Sequence, residues 1–125
     1  MNNKRLGRIS EEVRKVVSEI IGKGLKDPRI NSMTTVTKVE VTRDLRYAKI
    51  YVSVLGDDRE KKETIEGLEN AKGFIRRDIS SKIDLRYTPE PVFVLDESIE
   101  KGMYISKLID EVNKNSSNQK DNTDE

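Results

Sequence analysis

Apolar positions in this chain fall into spaced sets, and the spacing changes along its length. Leu6, Ile9, Val13, Val16, Val17, Ile20 and Ile21 recur three and four residues apart, which puts them on one face of an amphipathic helix. Gly22 and Gly24 weaken the end of that helix, and Asp27-Pro28 closes the region. Leu25 and Ile30 are expected to pack under the connecting loop. From Met33 the pattern turns β-branched, with Val39 and Val41 alternating against Lys38, Glu40 and Thr42. Residues 43–46 read as a tight turn. Residues 47–55 then alternate: Ala48, Ile50, Val52 and Val54 share one face, and Tyr47, Lys49, Tyr51 and Ser53 the other. This predicts a hairpin with one face against helices.

A polar, acidic stretch at 56–62 leads into a second helical stripe of Ile65, Leu68, Ala71, Ile75, Ile79 and Ile83. Gly73 interrupts it. A glycine inside a helix costs about 1 kcal/mol relative to alanine, so the segment is predicted to be two helices meeting near residues 70–73. Val92–Leu95 form another extended run, entered through Pro89 and Pro91. Asp96, Glu97 and Ser98 offer capping groups for a last helix with the stripe Ile99, Met103, Ile105, Leu108, Ile109 and Val112. Residues 115–125 carry no apolar side chain and read as a disordered polar tail. The expectation is one two-layer α/β domain over residues 1–114, with a third strand placed beside the hairpin in the same sheet.

Composition narrows the chemistry. Only 34% of the 125 residues are hydrophobic and 38% are charged, which predicts a thin core under a highly charged surface. There is no cysteine and no histidine, which removes disulfides, thiol catalysis, the usual neutral-pH base and the commonest nitrogen metal ligand. No apolar run is long enough to cross a bilayer, and the basic N-terminus leads into no signal-type stretch. The cytoplasm is the expected location. No cofactor and no metal site are expected. Among the candidate carboxylates Asp44, Asp57, Asp58, Asp96 and Glu97, adjacent pairs such as Asp57-Asp58 point differently in any regular structure, and Asp44 sits in the hairpin turn, where it can bond its own backbone. Tyr47, Tyr51, Tyr87 and Tyr104 have no evident acid–base partner. Gly22-Lys23-Gly24 is too short for a phosphate loop. An enzyme is therefore disfavoured.

The net charge of +1 says little, but its distribution says more. Residues 4–29 hold eight basic against four acidic side chains, and residues 72–86 five against two. Residues 57–69 and 90–111 are acidic. A near-neutral chain can thus carry a basic face. Lys4, Arg5 and Arg8 cluster at the start of the first helix and suit contacts to phosphates. Arg76 and Arg77 lie off the Ile75/Ile79 stripe and share their helix with Lys72, Lys82, Ser80 and Ser81. Ordinary solvated surface is the competing explanation for both clusters. Gly73 lets another backbone approach near Lys72. A glycine turn between helices beside basic residues is how single-strand-binding KH modules work, although the GxxG of those modules is absent here. Tyr47-Lys49-Tyr51 could be a stacking platform, but in an RRM that platform needs another strand order.

Several short motifs occur in a fixed order: Arg5 and Arg8 with Glu12; residues 25–29 (Leu25, Lys26, Asp27, Pro28, Arg29); residues 41–45 around Arg43 and Asp44; residues 48–54; residues 71–76 (Ala71, Lys72, Gly73, Phe74, Ile75, Arg76); and residues 85–89, followed by Phe93 and Asp96. Over roughly residues 4–112 the chain resembles the bacterial ribosome-binding factor A family. That resemblance implies a KH-like fold of type II order, αββααβ, with an extra C-terminal helix, and with Ala71-x-Gly73 as a helix kink in place of the GxxG loop. It implies a non-enzymatic assembly factor that binds free small (30S) ribosomal subunits and 16S rRNA, aids late maturation and 5′-end processing of that RNA, and is needed most in the cold. A monomer is expected. The candidate RNA contacts are Lys4, Arg5, Arg8, Lys26, Arg29, Arg43, Arg46, Lys72, Arg76, Arg77, Lys82 and Arg86. The alternative is a protein-interaction module of the same fold that does not touch RNA.

Overall fold

The computed structural model describes the backbone of residues 3–123 and the side chains of residues 4–114. Helix α1 (Asn3–Lys23) buries Ile9, Val13, Val16, Val17 and Ile20, the three-four stripe of its sequence. It ends where Gly24 turns to φ +86 and donates its N–H to the Ile21 carbonyl. That left-handed backbone costs glycine no side-chain clash.

Strands β1 (Thr34–Val41) and β2 (Tyr47–Val54) pair antiparallel. Their turn is held by Asp44, whose Oδ1 accepts from Thr42 Oγ1 at 2.7 Å and from the Arg46 N–H at 3.0 Å. Leu45 has a φ of 59, an unfavourable setting for a branched residue. Its side chain is buried in the core, which offsets that strain. The register slips between Val36 and Lys38. One extra residue, Thr37, reverses the alternation, which is why Val36, Val39 and Val41 all reach the core although their numbering differs in parity.

Helix α2 (Asp58–Asn70) opens with a capping box. Asp57 Oδ1 accepts from the Glu60 N–H at 2.8 Å, and the Glu60 side chain returns to the Asp57 N–H. The Asp57-Asp58 pair is thus a helix start. Helix α3 (Lys72–Lys82) follows after one residue. Ala71, at φ −85 and ψ 1, caps both helices. The break lies at Ala71, and Gly73 sits in the first turn of α3.

Strand β3 (Glu90–Leu95) pairs parallel with β2, so the sheet order is β1-β2-β3. A parallel neighbour requires a crossover, and α2 with α3 supplies it. The three helices α1, α2 and α3 cover one sheet face. Their core meets Ala48, Ile50, Val52 and Phe93. Tyr51 lies on the opposite face, with Lys38 Nζ 5.8 Å from its ring centroid. Among the described residues no helix is long and apolar enough to cross a membrane.

Helix α4 (Ser98–Thr123) departs from expectation in two ways. Its backbone stays helical to Thr123, where a disordered tail was expected from 115; no proline or glycine after Gly102 interrupts it. Residues 124–125 lie outside the described residues. Its stripe also does not pack: Ile99, Met103, Ile105, Leu108, Ile109 and Val112 are all exposed. At 100° per residue these six positions spread over about 220° of the helix surface, more than one flat face of a neighbour could cover.

Candidate nucleic-acid interface

The three-four rule that buries Ile9, Val13 and Val16 turns Arg5, Arg8, Glu12 and Lys15 outward on an adjacent side of α1. They meet the end of α3 and the segment after it. The resulting groove, 580 Å³ in volume, has a floor of Ile9, Val16, Ile83 and Leu85 and walls carrying Arg5, Arg8, Lys15 and Lys82 against Glu12 and Asp84. Arg5 and Arg8 make no ion pair among the described residues and stand open to solvent. Lys4, in the first turn of α1, is exposed beside them. Lys82 holds Asp78 at 3.1 Å and Glu19 at 3.9 Å. Exposed pairs of this kind are worth little, so its ammonium remains exchangeable.

A second group gathers where β3 begins. The Glu90 N–H donates to the Arg46 carbonyl at 2.8 Å. Arg76 Nη2 donates to the Thr88 carbonyl at 3.2 Å, and Lys72 Nζ lies 3.1 Å from Glu90 Oε1. Arg86 rests 5.5 Å from the ring centroid of its neighbour Tyr87. Arg43 is exposed at the hairpin turn with Arg46, and Arg77 is exposed on α3. Lys72 and Arg76 are partly committed to holding the 88–90 segment.

Arg29 has a different task. Its guanidinium clasps Asp27 with contacts of 2.6 and 3.0 Å, and its N–H donates to the same carboxylate. These bonds hold Asp27 at a pKa of about 2 and raise that of Arg29. The clasp shapes the 27–30 loop against Gly67, where an added Cβ would stand 2.7 Å from Ile30 Cγ1. Lys26, one residue away, is exposed and unpaired among the described residues.

The structure thus brings Arg5, Arg8 and Lys82 into one groove. It gathers Arg46, Lys72 and Arg76 at another place, and ties Arg29 to Asp27. Lys15 was missed by sequence reasoning, although its spacing from Arg8 and Glu12 marks the same helix face. An added Cβ at Gly73 would meet nothing within 4 Å, so no packing inside the domain requires glycine there. Among the described residues no group of three carboxylates could hold a metal ion.

The family model described as ribosome-binding factor A matches residues 5–109. Ribosome-binding factor A of Clostridium tetani is 54% identical over 111 residues, which is 89% of this chain and 92% of the relative. The solution structure of a Thermotoga maritima ribosome binding factor A homologue superimposes with a TM-score of 0.68 at 39% identity, covering 80% of this chain and 94% of that one. A homology model of the Thermus thermophilus factor, fitted into the electron-microscopy map of a 30S complex, shares the fold at a TM-score of 0.61 and 18% identity, over 74% and 96% of the two chains. With matching motifs, element order and mixed sheet, this chain belongs to the ribosome-binding factor A family.

Proposed function

We propose that the chain acts as a ribosome assembly factor, binding free small subunits through 16S rRNA with the α1/α3 groove. The observation that carries this reading is the juxtaposition of Arg5, Arg8, Lys15 and Lys82 over an apolar floor. Cations fixed along one groove follow a phosphate backbone, and their contribution falls steeply with salt. Family membership supports the ribosomal target, and the Thermus thermophilus relative has been placed in a 30S complex. In this reading the chain binds RNA and catalyses no reaction of its own.

In this proposal the type II KH-like order is used without its clamp. Ala71-x-Gly73 stands where a GxxG loop would be, and the open space above Gly73 admits a nucleic-acid backbone. Binding near the site of late maturation would favour 5′-end processing by a separate nuclease. The requirement would be greatest in the cold, where misfolded RNA escapes slowly. The protein would act as a monomer in the cytoplasm. The exposed apolar faces of α4 favour the second reading, a protein-interaction module.

Small-subunit binding by Arg5→Glu/Arg8→Glu, measured across a salt series with chemical footprinting of the RNA, decides between them. The double variant is expected to lose binding and to show a shallower salt dependence. Parental binding with no RNA protection would favour the protein-interaction reading.

A further inference from the structure

The two phenylalanines have opposite fates. Phe93 fills the core at 7% exposure, whereas Phe74 is 51% exposed. Its neighbour Ile75 takes the core position on α3, so the helix phase turns Phe74 outward. The ring is set in a concave surface. One cleft, 510 Å³ in volume, runs between the 24–27 loop and the α2/α3 junction, where Asn70 and Ala71 line it with Phe74. A second, 230 Å³ in volume, lies toward Lys23, Asp78 and Lys82. Gly24, Leu25 and Phe74 line both clefts, so the ring stands at their shared boundary.

The surroundings indicate the occupant. Lys23 and Lys26, one on each cleft, are exposed and make no ion pair among the described residues. The carboxylate of Asp27 is taken by Arg29, and that of Asp78 by Lys82. Lys82 also lines the α1/α3 groove, which makes the phosphate track and the aromatic clefts contiguous. A flat apolar ring between unpaired ammonium groups suits a polyanion with flat apolar faces. Unpaired nucleotides have that chemistry, and bases stack on aromatic side chains without needing a particular sequence.

We propose that Phe74 is a stacking platform for an unpaired nucleobase of single-stranded RNA, with Lys23 and Lys26 holding the flanking phosphates. The proposal rests on the RNA-binding reading and adds to it a site for unstacked bases. In a duplex the bases are stacked on each other and cannot reach the ring.

The chain contains no tryptophan and four tyrosines, so Phe74→Trp places a single indole, excited selectively over the tyrosines, at the platform. The full-length variant is titrated with a mixed-sequence single-stranded ribodecamer, with an abasic decamer of equal charge, and with the duplex of that sequence. The single strand is expected to quench the fluorescence, and the other two are not. Phe74→Leu, which keeps an apolar wall without a π face, is expected to weaken single-strand binding by roughly 5- to 150-fold. It should leave abasic binding unchanged, and Phe74→Tyr should restore affinity. Equal quenching by the abasic strand, or parental affinity in Phe74→Leu, overturns the stacking site. If Arg5→Glu/Arg8→Glu still reduces RNA binding, the wider reading survives that result. A parent that binds neither decamer nor small subunits overturns both.

Discussion

Thr37 Oγ1 donates to Asp96 Oδ2 at 2.6 Å, joining the bulge of β1 to the residue that follows β3. The same carboxylate accepts from the Ser98 N–H at 2.9 Å, and the Asp96 N–H donates to the Val52 carbonyl at 2.7 Å. One aspartate therefore ties both edges of the sheet to the start of α4. The donors from Thr37 and Ser98 lower its pKa from 3.8 to about 2.

The sign of the resulting pH dependence follows. A carboxylate with a depressed folded pKa stabilises the fold above its unfolded value, and that contribution is lost as pH falls through its folded value. The window runs from about pH 4 down to about pH 2, and Asp27 shares it through Arg29. Urea unfolding midpoints of Asp96→Asn are expected to fall less steeply than those of the parent over that window. Parallel curves would mean that the Thr37 bond does not form in solution.

Two glycines on neighbouring helices should respond oppositely to alanine. At Gly67 a Cβ would meet Ile30 Cγ1 at 2.7 Å, and at Gly73 it would meet nothing within 4 Å. Gly67→Ala is expected to lose about 1–2 kcal/mol, overpacking outweighing the gain in helix propensity. Gly73→Ala is expected to be neutral or to gain up to about 1 kcal/mol, yet to weaken small-subunit binding if a backbone passes over it. Chemical denaturation and a binding titration on both variants check this. A stabilised Gly67→Ala would show that the loop at Ile30 yields.

Among the described residues, helix α4 makes its side-chain ion pairs to the domain near its start. Lys61, buried on α2, has its Nζ 2.7 Å from Glu100 Oε2 and 3.9 Å from Glu97 Oε2. Glu100→Gln is expected to speed amide hydrogen exchange in the first turns of α4 and leave the sheet amides unchanged. Faster exchange throughout the sheet as well would place the pair inside the cooperative core.

Beyond residue 100 every described side chain of α4 is exposed. A chain ending at Gly102 is therefore expected to unfold within about 0.5 kcal/mol of the full-length protein. A larger loss by denaturant titration would mean that the exposed faces of α4 pack on the domain in solution.

Local pattern made much of the fold legible. The stripe of α1, the hairpin, the break between α2 and α3 and the extended run of β3 follow from three-four spacing, alternation, glycine and proline. The basic clusters were legible as composition. Their arrangement was not: Arg8 and Lys82 are 74 positions apart, and nothing local relates them. Arg29 looked like a free cation beside Lys26, but its clasp on Asp27 depends on how the loop folds against α2. Phe74 follows Gly73 directly, and its exposure is decided by Ile75 taking the core position on α3.

The sequence by itself determined which segments up to residue 114 are helical or extended, the absence of thiol and imidazole chemistry, and the family. Tertiary structure decided that β3 lies parallel to β2, that Thr37 resets the parity of β1, that the stripe of α4 stays unburied, and that Lys82 joins two basic surfaces. The physical reason is range. Periodicity and capping act over three or four residues, whereas strand partners, a bulge and a groove depend on which distant surfaces exclude water together.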